Sequence, residues 1–269
     1  VHQLTFGGLF MNFVFDLDGT ICFKGEPMSQ DIVQALHAVE DDGHRVIFAS
    51  ARPIRDMLPV IHPSFHDHIL IGGNGSLVAS EQTIIQSKSF DDRELSLITG
   101  LLDKHKATYL IDSDWDYTYN GPQDHPILNN LDPAKTAQNV PLAHHDRIIK
   151  ILILSANNLK ALENELLRMD VVVHHHGSEQ VLDISPTTIN KRTALQSLGI
   201  EGEGYIAFGN DANDIELFKG AQYAVMIGSH KSLRFYADDT INSTSPLESH
   251  IVEQIRHLSQ KYVYSTSYS

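Results

Sequence analysis

Cysteine is almost absent from the chain: Cys22 is the only one in 269 residues. No intrachain disulfide can form, which suits a reducing, cytoplasmic setting. Basic residues are also scarce. Twenty Lys and Arg stand against 34 Asp and Glu, for a formal net charge of −14. No Lys/Arg-rich run interrupts that excess, so a nucleic-acid partner, which would need a basic face, is not expected. A small anionic ligand remains open, because a bound divalent cation can invert the local field. Long apolar runs are missing as well. None reaches the roughly 20 residues of a membrane span, so no membrane partner is expected. The first ten residues, Val1 to Phe10, show neither a charged start nor an apolar targeting stretch, and Met11 reads as the natural start.

What is present is an alternation of short apolar runs with amphipathic stretches. Phe13-Val14-Phe15 reads as a buried strand. Ser29 can cap a helix with Ile32, Val33, Leu36 and Val39 on one face, ended by Gly43. Arg45 to Ala49 is a second strand. Pro53 suits the first position of a helix through about Val60, and Ile69 to Ile71 is a third strand. Strand, helix, strand, helix, strand predicts a parallel sheet with crossover helices.

The rhythm then changes. Leu77 to Ser89 holds two β-prone runs around Ser80-Glu81-Gln82. A helix is predicted from Asp91 to Lys104, with strands near Tyr109 and Tyr117. Asn120 to Pro141, rich in Pro, Asn, Asp and Gly, reads as a long loop. A strand over Arg147 to Leu154, a helix over Asn157 to Met169, and strands at Val171 to Val173 and Val181 to Ile184 complete an α+β unit. Near Pro186 the first rhythm resumes. Helices are predicted at Lys191 to Leu198, Asp214 to Lys219, Lys231 to Tyr236 and Ser249 to Tyr262. Strands are predicted at Tyr205 to Phe208, Tyr223 to Ile227 and Thr240-Ile241, and the polar tail from Tyr264 frays. The expected architecture is an α/β, Rossmann-like parallel sheet with helices on both faces, formed by residues 1–81 and 188–269. Residues 82–187 form an α+β domain inserted between its halves.

Four places can carry chemistry. Asp16 and Asp18 sit one residue apart where the first strand meets a Gly-Thr turn. Paired carboxylates there need a metal, a shared proton or solvent; the bland alternative is a solvated turn. Ser50 follows the second strand and precedes Ala51-Arg52-Pro53, where a hydroxyl and helix-start N–H groups can hold an anion or merely cap the turn. Lys191 opens a helix, either as a point charge for a phosphate or as a surface lysine. Gly209-Asn210-Asp211-Ala212-Asn213-Asp214 follows an apolar strand, and its oxygen donors suit a hard cation or a helix cap. Cys22 reads as a small buried thiol rather than a nucleophile. The 16 histidines include His144-His145 and His174-His175-His176. Neighbours on a strand face opposite ways, and no HExxH spacing or second cysteine supports a chelate. Gly72-Gly73-Asn74-Gly75 matches neither a Walker loop nor GxGxxG and reads as a turn.

Taken in order, Asp16-Leu17-Asp18-Gly19-Thr20, Ser50-Ala51-Arg52, Lys191 and Gly209 to Asp214 resemble the four motifs of the haloacid dehalogenase superfamily. More specifically, they resemble its Cof-type phosphatases, with a large cap inserted between the second and third motifs. The resemblance runs from Met11 to about Tyr262. It departs where the family has Thr-Gly-Arg and this chain has Ser50-Ala51-Arg52, where Arg192 replaces a small residue, and where Asn210 replaces the usual Asp. The last departure leaves open whether Asn210 or Asp211 approaches the metal.

The resemblance implies a Mg²⁺-dependent phosphatase of small phosphorylated metabolites. Asp16 would be the nucleophile, forming an aspartyl-phosphate, and Asp18 the acid/base. It implies metal contacts among Asp16, Asp18, Asn210, Asp211 and Asp214, and substrate contacts at Ser50, Ala51, Lys191 and Asn213. A phosphomutase on the same scaffold and a non-catalytic phospho-ligand sensor are the alternatives. Trp115, Tyr117, Tyr119, His125 and Arg147 are candidate contacts to the leaving group, with core packing the bland reading of the aromatics. Sugar phosphates, pyridoxal phosphate and nucleotides all remain open, as does a monomer against a small homo-oligomer.

Overall fold

The computed structural model describes residues 10–176, 181–200, 204–243 and 246–264. The expectations for the leading residues 1–9 and for the tail 265–269 lie outside the described residues. In chain order, β1 (Asn12–Phe15), α1 (Gln30–Asp41), β2 (Arg45–Ala49), α2 (Ile54–Met57), β3 (Ile69–Gly72), β4 (Leu77–Ser80) and β5 (Thr83–Ser87) come first. α3 (Asp92–Lys104), β6 (Thr108–Asp112), β7 (Tyr117–Tyr119), β8 (Lys150–Ser155), α4 (Leu159–Leu166), β9 (Val171–His176) and β10 (Val181–Pro186) follow. α5 (Lys191–Ser197), β11 (Tyr205–Gly209), α6 (Ile215–Gly220), β12 (Tyr223–Ile227), β13 (Asp239–Ile241) and α7 (Leu247–Tyr264) close the chain. It divides into two compact units, Val1–Phe48 with Ile200–Ser269, and Ala49–Gly199.

In the first unit the strands run in the order β13-β12-β11-β1-β2, all parallel. Every residue of β1 is buried, as a strand covered on both faces requires. Phe15 pairs in register with Phe208 on one side and Phe48 on the other. The chain thus leaves β1 toward β2 and returns on the opposite side, and such a switch point opens a crevice beyond the carboxyl ends of the strands. Ser29 caps α1 as expected, accepting from the Ile32 N–H, and Ile32, Val33, Leu36 and Val39 are buried. His44 joins strand to helix: Nδ1 accepts from the Met11 N–H, which leaves Nε2–H to donate to the Ser259 carbonyl.

The second unit holds the antiparallel run β3-β4-β5 and a separate antiparallel sheet in the order β7-β6-β8-β10-β9. The turn between β4 and β5 uses Glu81 and Gln82 at positive φ. The middle of β8, Ile151 to Leu154, is apolar because both its faces are covered. Ile151 and Ile153 join the core with Ile98, Leu102 and Leu162 of α3 and α4. Leu152 and Leu154 pack with Tyr119 and Leu131, the last from the long 120–141 connection. The α/β class with a Rossmann-like parallel sheet and an added α+β part is therefore as expected.

Several boundaries differ from the sequence reading. The helix expected from Pro53 to Val60 shrinks to Ile54–Met57, with Pro53 outside it at ψ 156°. Pro59 has no N–H to give the Arg55 carbonyl, so the hydrogen-bond ladder stops there although Leu58 itself is helical. The helix expected at Lys231 to Tyr236 is one 3₁₀ turn, Leu233–Tyr236, where His230 Nδ1 accepts from the Leu233 N–H. The helix expected to open at Asp214 starts as a 3₁₀ turn, Ala212–Asp214. Among the described residues no helix is long and apolar enough to cross a membrane.

Candidate active site

The candidate residues fall into two sets, one in each unit. The first set lies beyond the carboxyl ends of β1 and β11. Asp16 extends the sheet by one bond, its N–H donating to the Phe208 carbonyl at 2.9 Å, and its side chain is buried at 4 % exposure. The chain then coils: the Thr20, Ile21 and Cys22 N–H groups all donate to the Leu17 carbonyl. That coil aims Thr20 back at the strand end, where its hydroxyl lies 3.0 Å from Asp16 Oδ2 and 3.3 Å from Asn210 Oδ1. Asp18 is exposed on the outside of the coil. Gly19 is at φ +78°, and a Cβ there would overlap the Asn210 amide. Only glycine lets the two loops approach so closely.

The β11 loop is organised by its own carboxylates. Asp214, fully buried, accepts from the N–H groups of Asn210 at 2.9 Å and Asp211 at 3.1 Å through Oδ2. Asp211 caps the next turn, Oδ1 accepting from the Ala212 N–H at 2.6 Å and lying 3.5 Å from His230 Nε2. Asn213 lies within the 3₁₀ turn that this cap starts. Asn210, not Asp211, is thus the loop residue whose side chain meets the Asp16–Thr20 segment. Among the described residues no group of three or more His, Cys, Asp and Glu side chains is gathered to hold a metal. A donor set drawn from the Asp16 carboxylate, the Asp18 carbonyl and the Asn210 amide oxygen is all oxygen, which suits a hard cation such as Mg²⁺.

The second set is built around the turn that follows β2. Ser50 is 1 % exposed. Its N–H donates to the Ile71 carbonyl, and its Oγ accepts from the Arg52 N–H at 3.1 Å. The Gly72-Gly73-Asn74-Gly75 segment turns out to be the joint of this half. The Gly73 N–H donates to the Arg52 carbonyl, and the Asn74 N–H to the Ser50 carbonyl at 3.0 Å. At the other end of the segment, a Cβ on Gly75, at φ +112°, would overlap the Asn190 carbonyl. Asn190 caps α5 through the Thr193 N–H, and Lys191, fully buried, is the first residue of that helix. One glycine-rich turn therefore packs against both the Ser50 turn and the Lys191 helix start.

Beneath it lies a buried ionic group. Arg55, 1 % exposed, donates to both Asp56 oxygens, to Asp112 Oδ1 at 2.9 Å and to the Trp115 carbonyl. Burial alone would lower the Arg55 pKa, but its bonds and charge contacts with Asp56 and Asp112 raise it overall. Burial raises the Asp112 carboxyl above the usual range, against the pull of Arg55 and Lys150. Lys150 pairs with Asp183 at 2.9 Å. Thr20, Asn74, Lys150 and Asp183 had no place among the sequence candidates. Thr20 stood inside the first motif; the other three carried no local signal.

The suggested leaving-group contacts have structural partners. Tyr119 is a core residue whose hydroxyl donates to the Pro122 carbonyl. Tyr117 faces the Arg55 guanidinium 5.3 Å from its ring centre, and Trp115 Nε1 donates to the Thr136 carbonyl. His125 caps a 3₁₀ turn through the Ile127 N–H, and Arg147 lies 3.6 Å from Asp114. Cys22 is buried at 1 % exposure.

A family model described as haloacid dehalogenase-like hydrolase matches residues 13–246. A 5-amino-6-(5-phospho-D-ribitylamino)uracil phosphatase of Bacillus subtilis (YitU) is 22 % identical over 229 residues, covering 80 % of this chain and 85 % of its own. A phosphoglycolate phosphatase of Methanothermobacter thermautotrophicus is 24 % identical over 228 residues, covering 83 % and 88 %. Among solved structures, a haloacid dehalogenase-like hydrolase from Bacteroides thetaiotaomicron shares the fold at a TM-score of 0.75 and 18 % identity, covering 93 % of this chain and 99 % of its own.

Proposed function

The chain belongs to the haloacid dehalogenase-like hydrolase family, and from that premise we propose that it is a Mg²⁺-dependent phosphatase of small phosphorylated metabolites. The observation that carries the proposal is the buried Asp16 carboxylate beyond the end of β1, held by Thr20 at the point where the strand order reverses. The relatives whose names give a substrate act on small phosphorylated molecules, which supports the class without choosing a member.

In this reading an Asp16 oxygen attacks phosphorus in line, forming a P–O bond as the ester P–O bond breaks. The Thr20 hydroxyl fixes the rotation of the carboxylate through Oδ2. Asp18, exposed beside the nucleophile in sequence, gives its proton to the departing alkoxide. It then takes a proton from the water that splits the aspartyl-phosphate. The Ser50 hydroxyl, the N–H groups from Ala51 onward and the Lys191 ammonium neutralise and orient the phosphoryl oxygens, and Asn213 adds a polar contact to them. The Asp16 carboxylate, the Asp18 carbonyl and Asn210 would hold Mg²⁺, with Asp214 and Asp211 shaping the loop that carries Asn210. When bound, the ion supplies positive charge against the dianionic phosphoryl group. Residues 82–187 serve as the inserted domain that reads the leaving group, and a reducing cytoplasm is the setting that one cysteine suits.

The test is phosphate release from p-nitrophenyl phosphate and a panel of phosphorylated metabolites, with Mg²⁺ and with excess EDTA. Turnover that vanishes on chelation and returns with Mg²⁺ is expected. Full turnover in EDTA, or none on any phosphate ester, would refute the proposal.

A further inference from the structure

The Ser50 turn is tethered at two successive carbonyls, and both tethers lead to the same buried carboxylate. The Ser50 carbonyl accepts from the Asn74 N–H at 3.0 Å, and Asn74 Nδ2 donates to Asp183 Oδ2 at 3.2 Å. The Ala51 carbonyl accepts from Lys150 Nζ at 2.7 Å, and the same ammonium pairs with Asp183 Oδ2 at 2.9 Å. Ser50, Ala51, Asn74, Asp183 and Lys150 thus close a ring of hydrogen bonds. Its charged members are fully enclosed: the Lys150 side chain is 4 % exposed and that of Asp183 1 %. Lys150 opens β8 and Asp183 lies within β10, neighbouring strands of the five-stranded sheet.

We propose that Lys150 and Asp183 are positioning residues that lock the Ser50–Ala51 turn in its anion-holding form from the five-stranded sheet of the second unit. The inference rests on the phosphatase reading, since the turn's task is to hold phosphoryl oxygens. A backbone carbonyl fixed by an ammonium cannot rotate, so the N–H groups and hydroxyl on the other side of the turn stay aimed without reorganising when the anion arrives. Asn74 suits its place in the ring because it takes φ +58°, which Asn tolerates better than most residues, while offering both a backbone and a side-chain donor. A buried ion pair is a weak device for stability, because desolvation cancels much of the attraction. Its use here is direction: it delivers a donor to one carbonyl of one turn.

The test uses the full chain. Lys150→Met alone strands a buried carboxylate and risks misfolding. The variant to measure is therefore the neutral double change Lys150→Met with Asp183→Asn, which keeps an acceptor for Asn74 and removes both charges. Amide exchange at Arg52, Gly73 and Asn74 reads the turn itself, whatever the protein catalyses. Inhibition by inorganic phosphate and the split between KM and kcat on p-nitrophenyl phosphate read its consequence, with Ser50→Ala as the reference. The expected result is a near-normal melting temperature, faster exchange at those amides, and weaker phosphate inhibition. A loss of about 10- to 100-fold in kcat/KM should accompany it, the scale of a displaced binding group.

Unchanged exchange in the double variant overturns the lock. Faster exchange with unchanged phosphate inhibition, while Ser50→Ala weakens it, overturns the positioning role and leaves the phosphatase reading standing. Wild-type protein that neither hydrolyses phosphate esters nor is protected by phosphate overturns both, and exchange then still reports whether the ring holds the turn.

Discussion

The two sets of candidate residues, one in each unit, are held in place by different means. In the first unit the carboxylates are held mostly by local bonds, with the Thr20 contact to Asn210 and the Asp16 bond to Phe208 as the long-range ones. Asp214 reaches back three and four residues to the N–H groups of Asp211 and Asn210, and Thr20 reaches back four to Asp16. In the second unit the supports are remote: Lys150 reaches across 99 residues to Ala51, and Asn74 across 109 to Asp183. A locally capped loop depends on a handful of neutral or charge-assisted hydrogen bonds to its own backbone. A remotely tethered turn depends on buried charges, which are costly to strand. The first half should therefore fail in chemistry before it fails in stability, and the second should do the reverse.

Asp18→Asn is the sharpest chemical test of that contrast. Asp18 is exposed, so the fold should survive, while turnover of alkyl phosphates should fall by about 10²–10⁴-fold, the worth of a general acid. Aryl phosphates, whose leaving groups need little protonation, should lose far less. Equal losses on both substrates, measured by steady-state kinetics, would remove Asp18 from the acid role.

Arg55→Met is the matching test of the second half. It leaves Asp56 and Asp112 buried together without their cation, at a cost of about 3–5 kcal/mol. The comparison change in the first unit, Asp211→Ala, removes a turn cap worth about 1 kcal/mol. Denaturant midpoints decide between them. Similar losses for the two variants would erase the distinction between local and remote support.

The smallest expected effect is at His145. Burial lowers its pKa from the ordinary 6.5, outweighing the opposing pull of Asp116. Thr118 donates its hydroxyl to the Val140 carbonyl, so its oxygen accepts from His145 Nε2, a bond that both charge states can make, and it is burial that disfavours the imidazolium. Because the folded pKa is depressed, the contribution is present above the ordinary histidine value and is lost as pH falls through the folded one. His145→Gln should flatten the fall in melting temperature on acidification below pH 6.5. An unaltered slope would assign that fall to other groups.

The contrast also explains what was legible in the sequence. Asp16, Asp18 and the Gly209–Asp214 loop could be read because strand, turn and donors are contiguous. The parallel core could be read because strands buried on both faces are apolar along most of their length. Asn74, Lys150 and Asp183 could not, since each alone is a single polar residue in an apolar or glycine-rich run. Only the pairing of β8 with β10 brings Lys150 to Asp183, and Asn74 joins them from the turn after β3. The shortened α2 was readable in principle from Pro59 but masked by Pro53, which suited a helix start. Whether Asn210 or Asp211 meets the first motif depended on which way two adjacent side chains point, which spacing does not contain.

The most direct test of the central claim, that Asp16 is the nucleophile, is to quench turnover of a radiolabelled phosphate ester in acid and map the label. The predicted result is an acid-stable, hydroxylamine-sensitive phosphoryl group on Asp16, absent in Asp16→Asn, which also loses turnover on every substrate. Label on another residue, or wild-type rates in Asp16→Asn, would contradict it.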